Sequence, residues 1–172
     1  MNRAVVAFIS SLNILTASPL ASADGETRSV ITTREMPANP DEALAAFVDE
    51  GDLAAWWKVT RSLVEPENGG VWSIAWDQWG AEGTHHSWTG VIEEIAPDRL
   101  VISRMVMVEP DMPLLGPMRL EIAVEPTAGG SRLTVTHSGY GYGGHWDKMY
   151  DLVVNGWDHV LGDMEEWFKE DY

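Results

Sequence analysis

His137 combines a side chain able to do chemistry with a position that should face the protein interior. It ends an alternating run, residues 132–137, and shares its side of that run with Leu133 and Val135. An inward histidine can hydrogen-bond a ligand or act as a general base. It can equally be a structural residue, held by the carbonyl of a neighbouring loop. Both interpretations remain open from the sequence.

Arg104 and the adjacent pair His85 and His86 are the other side chains that could act on a ligand or a metal. Arg104 lies among apolar residues, so it either faces inward and binds a ligand carboxylate or faces outward and pairs with Glu93 or Glu94. Neighbouring strand residues point to opposite faces, so the two histidines cannot readily bind one metal together. We therefore expect no metal and no other cofactor.

The nine tryptophans are the most unusual feature of the composition. Alternation places Trp72 and Trp76 on one side of a strand, and helical spacing places Trp157 on the inner side of the last helix. Core packing accounts for most of these indoles, but several facing a concave sheet can line a cavity. Methionines add an adaptable apolar surface. The residues predicted to contact a ligand are Trp57, Trp76, Trp88, Met105, Met107, Met112, Met118, His137, Tyr142, Tyr150 and Trp157.

Alternating apolar residues predict the strands that must position these side chains. The predicted strands are 30–35, 71–76, 88–95, 100–107, 118–124 and 132–137. Consecutive strands with helices set apart from them indicate an α+β fold with an antiparallel sheet. A sheet with one apolar face must bury that face, and a curved sheet covered by a helix encloses a pocket.

Three helices complete the predicted domain. Asn39 and Pro40 are typical of a helix start, Gly51 is expected to end that helix, and Asp52 is expected to cap a second short helix over 53–57. Apolar residues at helical spacing predict a long helix over 145–168. A glycine-rich connector, residues 139–144, precedes it. Tyr142 in this connector could close over the mouth of a cavity.

The net charge of −16 and the absence of cysteine limit the function classes. Without a basic patch, the sequence does not favour nucleic acid or an anionic membrane as a partner, and cysteine chemistry is excluded. Residues 1–23 combine a positive start, an apolar stretch and a small-residue ending, the pattern of a cleaved signal peptide. We therefore expect a periplasmic or secreted protein with a loose segment over 24–29, a domain over 30–170 and no membrane span after cleavage.

These elements together resemble a known superfamily. The order of the helix near 40–47, the Gly69-Gly70 strand entry, the 90–101 hairpin and the closing helix with Gly156 and Trp157 is similar to the helix-grip (SRPBCC, START-like or Bet v 1-like) superfamily. The branch it resembles is named after the activator of Hsp90 ATPase. The resemblance implies a curved antiparallel sheet around a long C-terminal helix, two short helices between the first and second strands, and an internal cavity.

Three functions are consistent with this sequence. The first is the binding of a small apolar or amphipathic molecule. The second is an enzyme of the cyclase or hydrolase type, with His137 and Arg104 as its candidate catalytic residues. The third is a partner-binding domain with a filled core. A co-chaperone role is disfavoured because an exported protein would not meet a cytosolic chaperone. The oligomeric state does not follow from the sequence.

Overall fold

A computed structural model describes residues 25–77 and 85–171 of the chain. The signal peptide predicted at 1–23 lies outside the described residues. The secondary-structure elements are β1 (Arg28–Met36), α1 (Pro40–Ala45), α2 (Glu50–Trp56), β2 (Arg61–Val64), β3 (Val71–Trp76), β4 (His86–Ala96), β5 (Arg99–Val108), β6 (Leu115–Thr127), β7 (Gly130–Tyr140) and α3 (His145–Asp171).

The seven strands form one antiparallel sheet in the order β1-β7-β6-β5-β4-β3-β2. Strands β2 to β7 follow one another as neighbours, and β1 closes the order by pairing with β7, where Thr32 lies opposite Val135. Every predicted strand is present. β2 was not predicted, and it extends the sheet beyond β3 with Ser62 opposite Ile74. The predicted α+β helix-grip architecture, with two short helices between the first and second strands, is confirmed.

Bulges curve the sheet. The register shifts twice between β4 and β5 and again between β5 and β6, near Arg104, whose φ is 52°. Bulges bend a strand and increase its twist. Gly90 faces one of these bulges, and a Cβ there would lie 2.6 Å from the Cγ2 of Ile102. Glycine is therefore required at this close approach between the strands.

The two short helices begin at well-formed N-caps. The Asn39 side chain accepts a hydrogen bond from the backbone N–H of Glu42, and the Glu42 carboxylate accepts one from the N–H of Asn39, both at 3.0 Å. The predicted start at Asn39 is confirmed. The prediction for α2 was wrong by three residues, because Asp49 is its cap and Gly51 lies inside it. Asp49 accepts from the N–H of Asp52 at 3.0 Å.

The long helix α3 packs across the concave face of the sheet. Its buried residues recur at helical spacing, as the sequence predicted, and are Met149, Val153, Trp157, Val160, Leu161, Met164 and Phe168. Arg34 on β1 ties the helix to the sheet edge through Glu165 at 2.8 Å and Asp158 at 3.1 Å. None of the helices in the described ranges is long and apolar enough to cross a membrane.

Candidate functional site

Six indoles and one phenyl ring fill the space between α2, α3 and the start of the sheet. We call this the indole cluster; its members are Phe47, Trp56, Trp57, Trp72, Trp76, Trp88 and Trp157. Trp57 lies at its centre, with ring centroids 5.2 Å from Trp157 and 5.6 Å from Trp88. All seven side chains are buried. The sequence-predicted wall residues Trp57, Trp76, Trp88 and Trp157 are therefore brought together.

Three of these indoles are fully hydrogen-bonded to the backbone. The Nε1–H of Trp56 donates to the carbonyl of Ala46 at 2.9 Å, and that of Trp72 donates to the carbonyl of Phe47 at 2.8 Å. The Nε1–H of Trp76 donates to the carbonyl of Trp57 at 2.9 Å. These bonds fasten the short helices to β3. Buried indoles normally find such a partner.

His137 lies at the other end of this interior and is completely buried. Its Nδ1 is 2.8 Å from the hydroxyl of Tyr140 and accepts the Nε1–H of Trp157 at 3.3 Å. An indole N–H only donates, so Nδ1 must be the unprotonated nitrogen and Nε2 carries the proton. Burial lowers the pKa of His137 to about 3, so the ring is neutral at physiological pH. Burial also raises the pKa of Tyr140.

Glu109 is a buried carboxylate that the sequence analysis did not single out. Its side chain accepts the Nε1–H of Trp88 at 3.2 Å and lies against the Nδ1 of His86, with the residue only 7% exposed. Trp88 in turn lies with its ring centroid 5.5 Å from that of His137. The one available clue was a single acidic residue between the apolar strand β5 and a proline.

Two polar atoms in this interior have no hydrogen-bond partner within the protein. They are the Nε1 of Trp57 and the Nε2 of His137. Both side chains contact the rings of Trp88 and Trp157. By the tautomer argument above, both atoms carry hydrogen and are donors.

A small void lies beside the ring of Trp57, under α3. We call it the helix groove; it is lined by Trp57, Trp88, Leu152, Val153, Gly156, Trp157 and Val160. Its volume is about 10 Å³, which holds about one water molecule. Leu152 is 43% exposed and marks where the groove meets the surface. The predicted cavity is therefore not open at this site in the structure.

The remaining predicted contact residues divide between interior and surface. Met105, Met107 and Met118 are buried in the core, while Met112 and Tyr150 are half-buried against it. Tyr142 is 56% exposed on the connector before α3.

Arg28 fastens that connector to the first strand. Its guanidinium lies 4.9 Å from the ring centroid of Tyr142 and 4.0 Å from that of Tyr150, and it pairs with Asp147. Cations over aromatic faces are attracted by the ring quadrupole. The start of β1, the connector and the first turn of α3 are therefore joined in one contact.

Arg104 faces outward, so the inward-facing alternative does not hold. It is exposed at the rim of a surface hollow of about 260 Å³ formed with Val106, Leu114, Gly116 and Pro117. The partners expected for an outward Arg104 are taken by other arginines, since Glu93 pairs with Arg119 and Glu94 with Arg99. The bulge beside Arg104 reverses the alternation on which an inward position depended. Arg104 and His137 therefore do not meet.

The interior offers unpartnered hydrogen-bond donors among aromatic and aliphatic side chains. A neutral imidazole whose Nδ1 is occupied and whose Nε2 is protonated is a poor base at neutral pH. In the described part of the chain, no group of three histidine, aspartate or glutamate side chains could hold a metal ion. The indole faces supply the apolar contact area.

Solved structures with this fold share little sequence with the chain. A crystal structure of a protein from Mesorhizobium loti is 16% identical, with a TM-score of 0.68 over 84% of this chain and 99% of that one. A Silicibacter pomeroyi protein is 18% identical, with a TM-score of 0.68 over 84% and 100% of the two chains. One from Chromobacterium violaceum is 21% identical, with a TM-score of 0.63 over 80% and 95%. None of the curated proteins matches the chain.

The family comparison agrees with the fold and with the order of its elements. Residues 37–169 match the model of the family described as Activator of Hsp90 ATPase homolog 1-like protein. That range runs from the end of β1 nearly to the end of α3 and includes every residue of the indole cluster. The match covers well over half of the chain, so this protein belongs to the Activator of Hsp90 ATPase homolog 1-like family, within the helix-grip superfamily.

Proposed function

We propose that this protein binds a small apolar or amphipathic molecule between α3 and the concave face of the sheet, at the helix groove. The observation that carries the proposal is the pair of buried, unpartnered donors: Trp57 Nε1, whose ring lines the groove, and His137 Nε2, whose ring contacts the groove residues Trp88 and Trp157. Buried polar atoms are nearly always paired, and an unpaired one costs about 1–3 kcal/mol. A guest that accepts these hydrogen bonds would remove that cost.

Entry of a guest requires side chains or α3 to move, because the groove as it stands holds about 10 Å³. The chain provides a plausible hinge before α3. Gly143 and Gly144 have φ values of 81° and 55°, and a Cβ at either position would contact nothing. Helix ends joined through glycines can absorb the backbone changes that accompany binding. A shift of α3 away from Trp57 and Trp88 would widen the groove from its surface end at Leu152.

The test is to block the groove. Gly156→Leu places an apolar side chain at the groove mouth, where a Cβ meets open space. Gly162→Leu makes the same change six residues along the same helix, outside the groove lining. Binding of apolar probes such as 2-acetylnaphthalene, followed by tryptophan fluorescence and native mass spectrometry, is expected in the wild type and in Gly162→Leu. We expect Gly156→Leu to weaken binding at least tenfold. Equal binding by both variants would contradict this location.

A partner-binding function is the second candidate, and the small groove volume favours it. A filled core is what a domain needs when its surface does the binding. The exposed large apolar side chains of the described residues are mostly aliphatic and are spread over several elements, for example Ile31 on β1, Leu63 on β2 and Leu152 on α3. Such scattered residues are normal for a protein surface. We therefore rank this function below ligand binding.

Export is part of the proposal. The pattern of residues 1–23 supports cleavage after Ala23 and a periplasmic or secreted location. Intact mass measurement of the protein recovered from its own host is expected to show a chain that begins at Asp24. A full-length cytosolic chain would contradict export while leaving the binding proposal intact. The strongly acidic composition does not favour a nucleic acid or an anionic membrane as the partner.

A further inference from the structure

The two unpartnered atoms of the interior have the same hydrogen-bonding character. Trp57 Nε1 can only donate. His137 Nε2 must donate as well, because its Nδ1 already accepts the Nε1–H of Trp157. A molecule that satisfies either atom must therefore present an acceptor. A guest that directed a hydroxyl or amine hydrogen at either N–H group would place two donors against each other and form no hydrogen bond.

The charge around the groove disfavours an ionised guest. The ring of His137 is neutral, so it offers an anion no opposite charge. The carboxylate of Glu109 accepts from the Nε1–H of the groove residue Trp88 at 3.2 Å and would repel an anion. A cation would be attracted by the indole faces and by Glu109, but it has no acceptor atom to offer and would leave both N–H donors unpaired. The groove, lined by indole faces and by Val153 and Val160, has no room for the hydration shell that either ion would need.

We infer that the ligand is a neutral, mainly apolar molecule with a hydrogen-bond acceptor such as a carbonyl oxygen, which accepts from Trp57 Nε1, from His137 Nε2 or from both. This inference rests on the proposed function and specifies the chemical class that the site takes. Trp57 and His137 are then the residues that determine ligand specificity, while the indole faces supply contact area. The bond from Trp157 to His137 is a positioning contact, because it fixes the proton on Nε2.

A pair of ligands with matched shape tests the inference. 2-Acetylnaphthalene and 2-isopropylnaphthalene differ by a carbonyl oxygen in place of a methyl group. The measured quantity is the ratio of their dissociation constants, compared between proteins so that the difference in their water solubility cancels. Trp57→Phe removes one donor and leaves no other group unpaired, because that donor has no partner. His137→Phe removes the other donor.

Trp72→Phe is the matched control. It removes an indole N–H from the same cluster, but that N–H already donates to the carbonyl of Phe47. We expect the preference for the ketone to fall three- to tenfold in Trp57→Phe, in His137→Phe or in both, as the loss of one net hydrogen bond implies. We expect Trp72→Phe to retain the wild-type ratio. Circular dichroism confirms folding of each variant.

The outcomes separate this inference from the proposed function. An unchanged ratio in both donor variants, with both naphthalenes bound, would overturn the inference and leave the proposed function standing. Failure of the wild type to bind either naphthalene would overturn both. Nitrogen NMR of the imidazole gives an independent reading, and it does not need a folded variant. A protonated Nε2 and an unprotonated Nδ1 on His137 are expected, and the reverse assignment would overturn the inference.

Discussion

Buried tryptophans occur in the interior in two different hydrogen-bonding situations. Next to α1 and α2, the indoles of Trp56 and Trp72 donate to backbone carbonyls of the segment between those helices. Next to α3, the indole of Trp57 has no acceptor, although it lies at the centre of the same cluster. The two regions are equally apolar and equally buried. They differ in whether the backbone comes within reach of the ring nitrogen.

The difference separates a region that stabilises the fold from a region available for binding. A satisfied indole fastens one element to another, and its loss leaves an acceptor unpaired. An unsatisfied indole contributes contact area but retains an unused donor. The first kind of residue is expected to govern the free energy of unfolding, and the second kind to govern ligand preference. The following predictions test that division.

Trp72→Ala is expected to have the largest effect. It removes a fully buried indole on β3 and leaves the carbonyl of Phe47 without its donor. Large-to-small changes of this kind cost about 3–5 kcal/mol. Urea unfolding followed by circular dichroism measures the change. A loss below about 1.5 kcal/mol would show that the α1 and α2 region is not the stabilising one.

Acid is expected to destabilise the protein through His137. Its pKa is about 3 when folded, against an ordinary value of 6.5, so the unfolded chain binds a proton that the folded chain does not. Stability is therefore present above about pH 6.5 and is lost as the pH falls below it, by about 2 kcal/mol between about pH 7.5 and pH 5. Tyr140 stays neutral throughout, because burial raises its pKa. Nearby Glu109 is present both in the wild-type protein and in the His137→Phe variant with which it is compared.

The measurement is urea unfolding at several pH values for the wild type and for His137→Phe. The other four histidines are present in both proteins, so the difference between the two curves isolates His137. Parallel curves would mean that His137 is already protonated or is exposed to solvent, and the tautomer assignment would lose its basis.

Phenylalanine substitutions compare the two regions directly. Trp57→Phe and Trp72→Phe remove similar area, but only the second leaves a backbone carbonyl unpaired. We therefore expect Trp72→Phe to be the more destabilising by about 1–2 kcal/mol. Parallel urea titrations of the two variants provide the comparison. Equal losses would indicate that Trp57 Nε1 does have a partner in solution.

Gly156→Ala is expected to have the smallest effect, and a favourable one. A methyl group at this position meets open space in the helix groove, and alanine favours the helix over glycine by about 0.5–1 kcal/mol. Gly162→Ala, with its Cβ 3.7 Å from Arg34, is the matched change outside the groove. Thermal unfolding of both variants should show a similar gain. A loss confined to Gly156→Ala would mean that the purified protein carries a guest there.

Much of the fold was predictable because local patterns agreed with each other. Alternation on β3 placed Trp72, Ile74 and Trp76 inward, and all three are buried. The sequence around Asn39 contained a full capping box. β2 was missed because four residues, Arg61–Val64, are too few to show a period. The cap of α2 was misplaced because Asp49 and Asp52 have the same side chain within one helical turn.

The candidate site was predictable only in part. The inward position of His137 followed from its place in the alternation of β7, and it is confirmed. Its partners did not follow, because a loop carbonyl was the expected structural partner and the observed ones are Tyr140 and Trp157. The unpartnered state of Trp57 depends on which carbonyls lie near its ring, and that is set by the packing of α2 against β3. Arg104 was ambiguous because a bulge changes alternation without a local sequence pattern.

The pairing of β1 with β7 has a consequence for how the chain acquires its structure. Residues at positions 28 to 36 hydrogen-bond to residues at 131 to 140, and α3, which comes after both strands, packs on the same edge. During synthesis, about a hundred residues must be added after β1 before its partner strand β7 is available. Contacts this distant in sequence slow folding. The edges of β1 and β6 are therefore open to wrong partners until β7 has been synthesised.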